Sequence, residues 1–342
     1  MRFSAASLLL AALLLGCFPI FNNTKPTGEF LSEPLNLSDF NSEFDDYNSS
    51  LPMNRSGVSP LIFSSKRTRK DKFNLVSTTL YLSYDDKAKR LIASNNPYGS
   101  YQDDPGDSFW LNDLVNRTNE NCNILGPNVL RMGNGDAATR GQYLILYAED
   151  KDGQLDVSFR HNVGNVYEPK GPFKVTFLNS PADDAYPTLY EPSATGGNRE
   201  LYFTSNRSGN SDLYRVKLPA GKTLPEILQT TEPLPVEKVE ELSSTADDKC
   251  PFILGDRMIF TSNRPGGSGG FDLYESRYVN GTWTKPTNLG SRINTASDEY
   301  RPVVLDFTKF TFTYPLMVFS SNRPGGKGGF DLYLVGLEGS PN

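Results

Sequence analysis

TSNRPGGSGGFDLY, Thr261 to Tyr274, returns 59 residues later as SSNRPGGKGGFDLY, Ser320 to Tyr333. A glycine run of this kind has two readings: a phosphate-binding loop, or the turn of a repeated structural unit. A phosphate loop needs its glycines to lead into the N-terminus of a helix. Here alternating apolar and polar residues flank the glycines on both sides, which predicts two strands joined by a turn. Pro265 and Pro324 preset the first turn position, and Gly266 and Gly325 accept positive φ at the next.

The same wording recurs along the chain. LIFSSKR (Leu61 to Arg67), LYFTSNR (Leu201 to Arg207), MIFTSNR (Met258 to Arg264) and MVFSSNR (Met317 to Arg323) each head a polar or glycine loop, and LILYAED (Leu144 to Asp150) is a degraded copy. A second strand starts after each, at Phe73, Leu155, Ser211, Phe271 and Phe330. The aromatic residues before the turns are Phe63, Tyr147, Phe203, Phe260 and Phe319, at spacings of 84, 56, 57 and 59. The long first gap is one unit plus an insertion, placed as a loop within Ser94 to Asn128. An acid pair precedes each hairpin: Asp45-Asp46, Asp183-Asp184, Asp247-Asp248 and Asp298-Glu299, with Pro187, Pro251 and Pro302 following in the last three. In the second copy Asp103-Asp104 is the candidate pair. Four antiparallel strands in each unit of roughly 57 residues predict an all-β, five-bladed β-propeller.

The last copy lacks a fourth strand. FLSEPLNLSDFNSEFDDY, Phe30 to Tyr47, matches WTKPTNLGSRINTASDEY, Trp283 to Tyr300, at an offset of 253, with the Pro slipping by one position. The N-terminal piece is therefore expected to supply the missing strand and close the ring, which removes an open sheet edge.

The F-[ST]-S-N-R-x-G…D-L-Y hairpin and the Trp283 to Glu299 segment resemble the WD40-like propeller repeat of TolB-type periplasmic proteins and of OmpA-like envelope proteins of Bacteroidetes. The resemblance covers Phe30 to the C-terminus, is strongest in copies three to five, and implies a propeller in the cell envelope without implying one activity. The N-terminus agrees with that compartment. Met1-Arg2 and the apolar run Leu8 to Leu15 read as an export signal too short to remain as a membrane span. Leu14-Leu15-Gly16-Cys17 resembles the bacterial lipobox, which implies lipidation of Cys17. Residues 1–16 are then the signal, 17–28 a lipidated tether, and 29–342 the propeller. By the same resemblance, Phe18 rather than Asp after the Cys favours the outer membrane, and the lack of an acidic cluster after Cys17 favours a periplasm-facing orientation over surface display.

Composition narrows the chemistry. With 34 Lys and Arg against 40 Asp and Glu, the net charge of −6 argues against nucleic acid as a partner. A single histidine, His161, leaves little material for His-based metal sites or Ser-His-Asp triads. Cys122 and Cys250 are candidates for a disulfide in an oxidising compartment, with two buried free thiols as the other reading.

Arg207, Arg264 and Arg323 precede loops that end at Asp212, Asp272 and Asp331, so an Arg–Asp bond bracing each hairpin is expected. The acid pairs stand before the innermost strands, where a ring of carboxylates at the channel mouth would bind a cation such as Ca²⁺ or a basic peptide. Alternatively, one acid of each pair accepts backbone N–H or Arg bonds at a blade junction. No cofactor or fixed metal is otherwise expected. Three functions are set side by side. The first is a noncatalytic platform for another envelope protein, with the insertion giving specificity. The second is a carbohydrate-binding propeller, with Trp110 as the free sugar platform. The third is a glycoside hydrolase using carboxylates outside the repeat, such as Asp107, Asp113 and Glu120. Of the three, the noncatalytic protein-binding platform, in an envelope transport or assembly complex, is the expected function.

Overall fold

The computed structural model describes residues 33–52, 58–85, 87–95, 105–133, 138–191, 199–306, 312 and 314–337, with backbone alone for 105–108. The signal, the tether, Cys17, Phe30 and Asp103-Asp104 lie outside these residues.

The strands follow the repeat. The chain opens with β1 (Leu35–Asn36). Blade one is β2 (Asp46–Ser50), β3 (Val58–Arg69), β4 (Lys72–Asp85) and β5 (Arg90–Ser94). Helix α1 (Pro105–Thr118) leads to blade two: β6 (Ile124–Arg131), β7 (Tyr143–Glu149), β8 (Asp156–His161) and β9 (Lys170–Lys174). Blade three is β10 (Asp184–Tyr190), β11 (Glu200–Ser205), β12 (Asp212–Lys217) and, after the short helix α2 (Leu224–Leu228), β13 (Val236–Lys238). Blade four is β14 (Asp248–Leu254), β15 (Arg257–Ser262) and β16 (Asp272–Val279), with β17 (Thr282–Trp283) and β18 (Thr287–Asn288) both pairing β16. Blade five is β19 (Glu299–Leu305), β20 (Leu316–Ser321) and β21 (Asp331–Gly336), and β1 completes it. Every pairing is antiparallel, so the chain is an all-β, five-bladed propeller of four-stranded sheets.

The ring closes as the sequence predicts, with one refinement. Leu35 pairs Leu334 and Asn36 pairs Tyr333, while Asn288 pairs Tyr274 in blade four. Asn36 thus takes the place of Asn288, so the one-residue slip covers the strand as well as the Pro. Behind it, Asn41 matches Asn294. The Leu332 N–H donates to Asn41 Oδ1 at 2.8 Å, and Asn41 Nδ2 donates to the Leu332 carbonyl and to Asn36 Oδ1, both at 3.0 Å. Asn294 makes the same three bonds to Leu273 and Asn288. Asn179 and Asn119 clamp Val157 and Leu75 in the same way.

That last clamp corrects the reading of the insertion. Asn119 to Ile124 is the junction motif of blade two, and β6 is its innermost strand, so the insertion ends before Asn119, and residues 105–118 of it form the helix α1 rather than a loop. Leu111, Leu114 and Val115 recur at helical spacing on α1 and are buried against Ile62, Leu75, Tyr143, Ile145 and Tyr147, wedging α1 between blades one and two. Asp113 and Arg117 pair at 2.8 Å, one helical turn apart.

The two glycine pairs of the opening stretch do different work. Gly266 and Gly325 take φ of 92° and 93° in the turn. Gly269 instead lies against the next blade, where a Cβ would stand 1.9 Å from the Ser297 carbonyl oxygen; Gly328 meets Phe44 in the same way, at 2.1 Å.

Because Asn41 satisfies three buried groups on two elements far apart in sequence, Asn41→Ala is expected to lower unfolding free energy by about 2–3 kcal/mol. Asn36→Ala, whose own bond to Asp331 is 3.4 Å long, loses less. Urea titration at neutral pH measures both.

Candidate functional site

The innermost strands β2, β6, β10, β14 and β19 line the central channel. Each carries a bulge at the same position, where Asn48, Gly126, Tyr186, Cys250 and Arg301 have φ of 58°, 56°, 55°, 55° and 50°. The next residue is Pro127, Pro187, Pro251 or Pro302 in four blades and Ser49 in the fifth. A Pro there has no N–H to leave unpaired in the broken ladder. These five residues form one layer across the channel, and the four that have side chains are all buried.

The acid pairs point away from this layer. The second acids, Asp46, Asp184, Asp248 and Glu299, are completely buried within the blades. Asp184 Oδ2 accepts from the Ser180 N–H and hydroxyl at 2.6 and 2.7 Å, and its Oδ1 accepts from Arg207 at 2.6 Å. Asp248 takes the same bonds from Ser244 and Arg264, Asp46 from Ser42 and Arg67, and Glu299 from Thr295 and Arg323. Burial raises the Glu299 carboxyl above its usual range, and bonds from Thr295 and Arg323 oppose that shift. Each Arg also donates to a carbonyl at the blade edge, as Arg264 does to Leu242, and lies over a Phe ring of its own blade.

The hairpin brace is therefore corrected. Arg207, Arg264 and Arg323 bond to Asp184, Asp248 and Glu299, not to Asp212, Asp272 and Asp331. The hairpin acids bind locally instead: Asp272 accepts from the Ser268 and Gly269 N–H groups and from Asn288, Asp331 from Lys327, Gly328 and Asn36, and Asp212 from Ser208 and Lys238.

The first acids couple neighbouring blades. Asp45, Asp183, Asp247 and Asp298 each accept, at 2.9–3.1 Å, from the N–H that precedes the third strand of the previous blade, on Phe330, Leu155, Ser211 and Phe271. In blade two Asn123 takes this role towards Phe73, and Ile124 replaces the second acid. Facing Ile124 in register, Glu149 stands where the other blades have Ser, and it accepts from Ser158 at 2.6 Å. Among the described residues no group of three or more His, Cys, Asp or Glu is placed to hold a metal ion.

Cys122 and Cys250 are both free and buried, so the disulfide is also corrected. Cys122 lies in the blade-two junction beside Glu149, at 3.8 Å, while Cys250 belongs to the channel layer. Burial pushes their thiols up to about 11 and about 12. His161 is buried in β8 with Nδ1 accepting the Val163 N–H, away from the channel.

Sequence reasoning missed the mouth itself. One residue before the channel layer stand Tyr47, Leu125, Ala185, Lys249 and Tyr300; on the adjoining hairpins stand Phe73, Leu155, Ser211, Phe271 and Phe330. Half of this ring is a continuous, partly exposed aromatic arc. Ring centroids are 5.6 Å apart for Phe271–Tyr300, 6.3 Å for Tyr300–Phe330, 5.8 Å for Phe330–Tyr47 and 4.7 Å for Tyr47–Phe73. Lys249 caps one end over Phe271 and Lys66 the other over Phe73, at 5.3 and 4.6 Å. Asp45, Asp247 and Asp298 stand on the rim beside it. The signal was present in the positions just before FDLY and just after each acid pair. Trp110 lies apart on α1, edge-on to Phe109 and Tyr167. Glu120 is tied to Lys151 and Arg160, Asp113 to Arg117, and the side chain of Asp107 lies outside those described. At the opposite end of the channel a cavity of about 450 Å³ is lined by Ser50, Asn128, Thr188, Arg131, Glu191 and Arg199, among others.

Removing Arg264 leaves the fully buried Asp248 without its cation. Arg264→Met is expected to cost about 3–5 kcal/mol in urea unfolding, and the Arg264→Met/Asp248→Asn pair less than the sum of its parts.

No protein-family profile matches the chain, and no curated protein matches it in sequence. Among solved structures, an endo-arabinase from Bacteroides thetaiotaomicron superposes with a TM-score of 0.53 at 13% identity, covering 91% of this chain and 99% of its own. A GH62 hydrolase in complex with xylotriose gives 0.50 at 9% identity, covering 89% and 97%. A GH43_12 protein from a capybara gut metagenome gives 0.50 at 12%, covering 94% and 55%. These neighbours are propellers of the glycoside hydrolase type, not the WD40-like proteins of TolB type that the hairpin wording resembles. The expectation of a chain without catalytic function is corrected accordingly. At these identities the likeness is one of fold: the chain is a five-bladed β-propeller of the architecture that these hydrolases share.

Proposed function

We propose that this chain is a carbohydrate-active propeller of the glycoside hydrolase type, taking a saccharide across the acid-pair mouth of its channel. The observation that carries the reading is the arc Phe271–Tyr300–Phe330–Tyr47–Phe73. Flat, partly exposed rings suit the apolar faces of sugar rings, and neighbouring polar groups suit their hydroxyls. The propeller fold, shared with an endo-arabinase and a GH62 hydrolase, supports the same reading.

Hydrolysis by a glycosidase uses two carboxylates flanking the bond to be cleaved, about 5–9.5 Å apart. In this reading the rim acids Asp45, Asp247 and Asp298 are the ones that serve. Each commits Oδ1 to a neighbouring blade, and Asp45 and Asp247 remain 29% and 32% exposed. The buried second acids are excluded from contact with a substrate by their complete burial. The reading also keeps Cys17 as the lipidated first residue of the mature chain, with the propeller held at the outer membrane and facing the periplasm. Mass measurement of the mature N-terminus tests that part separately.

The direct test incubates the purified propeller with arabino-, xylo- and galacto-oligosaccharides, reading binding by calorimetry and cleavage by new reducing ends. Binding with cleavage is expected. Tyr300→Ala and Phe271→Ala should each weaken binding about tenfold. Asp298→Asn and Asp45→Asn should abolish cleavage while sparing binding. A chain that neither binds nor cleaves any member of a broad glycan panel overturns the reading.

A further inference from the structure

We propose that the channel axis holds a small inorganic anion of the halide class, bound by Arg301 together with Asn48 and Ser49 of the adjacent blade. The site lies one residue beneath the aromatic mouth, shares Tyr300 with it, and does not depend on the function proposed for it.

Arg301 is among the largest fully buried side chains in the molecule, at 1% exposure. A buried guanidinium needs a counter-charge and partners for its N–H groups. Four of the five blades bury an acid at the start of the innermost strand, but each of those acids already has its own Arg. Asp46 on the adjacent innermost strand β2 and Glu299 on the same strand β19 belong to Arg67 and Arg323. Arg301 receives only neutral groups. Its Nη2 donates to the Pro127 carbonyl at 2.9 Å and to the Gly126 carbonyl at 3.5 Å, and the guanidinium stands 5.9 Å from the Tyr186 ring centroid. Its Nε and Nη1 have no hydrogen-bond partner.

Further polar groups stand in the same layer. Asn48 occupies the next position of the same layer. Its side chain is fully buried beside the Tyr47 and Tyr186 hydroxyls, and the neighbouring Ser49 hydroxyl is fully buried without a hydrogen-bond partner. The titratable groups facing Arg301 are Cys250, Tyr186 and Tyr300. Burial raises all three, so each is neutral at physiological pH and supplies no negative charge. The layer therefore carries the buried charge of Arg301 with no acid facing it, and two of the guanidinium nitrogens are unmet. The occupant that meets both conditions is anionic, compact and held by N–H and O–H groups. Gly126 completes the arrangement. Any Cβ there would stand 2.4 Å from the Tyr186 ring, so blade two contributes no side chain to compete for the space.

The test uses the whole propeller. Crystals soaked in iodide are expected to give an anomalous peak in contact with the Arg301 guanidinium. In solution, replacing gluconate with chloride or bromide at constant ionic strength should raise the thermal midpoint by at least about 2 °C. Arg301→Met should remove both responses. Iodide peaks confined to the protein surface (an adventitious ion only) overturn the proposal, as does an axis filled by water with equal stability in all three salts. Should Arg301→Met fail to fold, the anomalous map of the unaltered chain decides alone.

Discussion

The fold depends on a buried carboxylate held by an arginine of its own blade. Asp46, Asp184, Asp248 and Glu299 begin the innermost strands, and the arginine that ends the second strand reaches back to each of them. Isolated, such a charge would be costly to bury; with an Arg, a Ser or Thr hydroxyl and a backbone N–H around it, the cost is met locally. The neighbouring first acid points the other way, to the backbone of the preceding blade. One dipeptide thus ties a blade together and joins it to the one before. That explains why the acid pairs recur with the repeat, and why the second acid of each is closed to ligands.

Blade two tests this account by departing from it. Ile124 replaces the second acid and Lys151 replaces the arginine, so neither partner of the clamp is left without the other. Asn123 and Asp150 exchange the amide and acid that Asp183 and Asn206 hold elsewhere, with two bonds retained between them. Helix α1 packs over the same junction and adds apolar burial where the ionic clamp is missing. The degraded copy is a consistent substitute.

The repeat made the blades, their number and the closing strand legible, because FTSNR, FDLY and the acid pairs are framework residues spaced by the unit itself. The same regularity misled the pairing of Arg264 with Asp272. Both residues flank one loop, yet the arginine folds back along its strand to an acid that lies earlier in sequence. The insertion was read as a loop although Leu111, Leu114 and Val115 already stood at helical spacing. The aromatic arc was hidden for a different reason: its members come from the third strand of one blade and the first strand of the next. No single window of sequence contains the surface they build. Arg301 was equally hidden, since the position it holds carries a different residue in every blade.

The closing strand has a consequence for how the molecule comes into being. Asn41 and Leu332 are 291 residues apart, and β1 cannot pair until β21 exists. During synthesis the first segment of the propeller emerges with its partner still untranslated, while blades one to four are assembled from contiguous chain. The first strand of the propeller in sequence is thus the last to find its place. Until then the open edge of β21 and the apolar residues Leu37 and Phe40 are the exposed surfaces of the nascent ring. The seam that makes the finished propeller edgeless is the point at which its assembly is most open to interception.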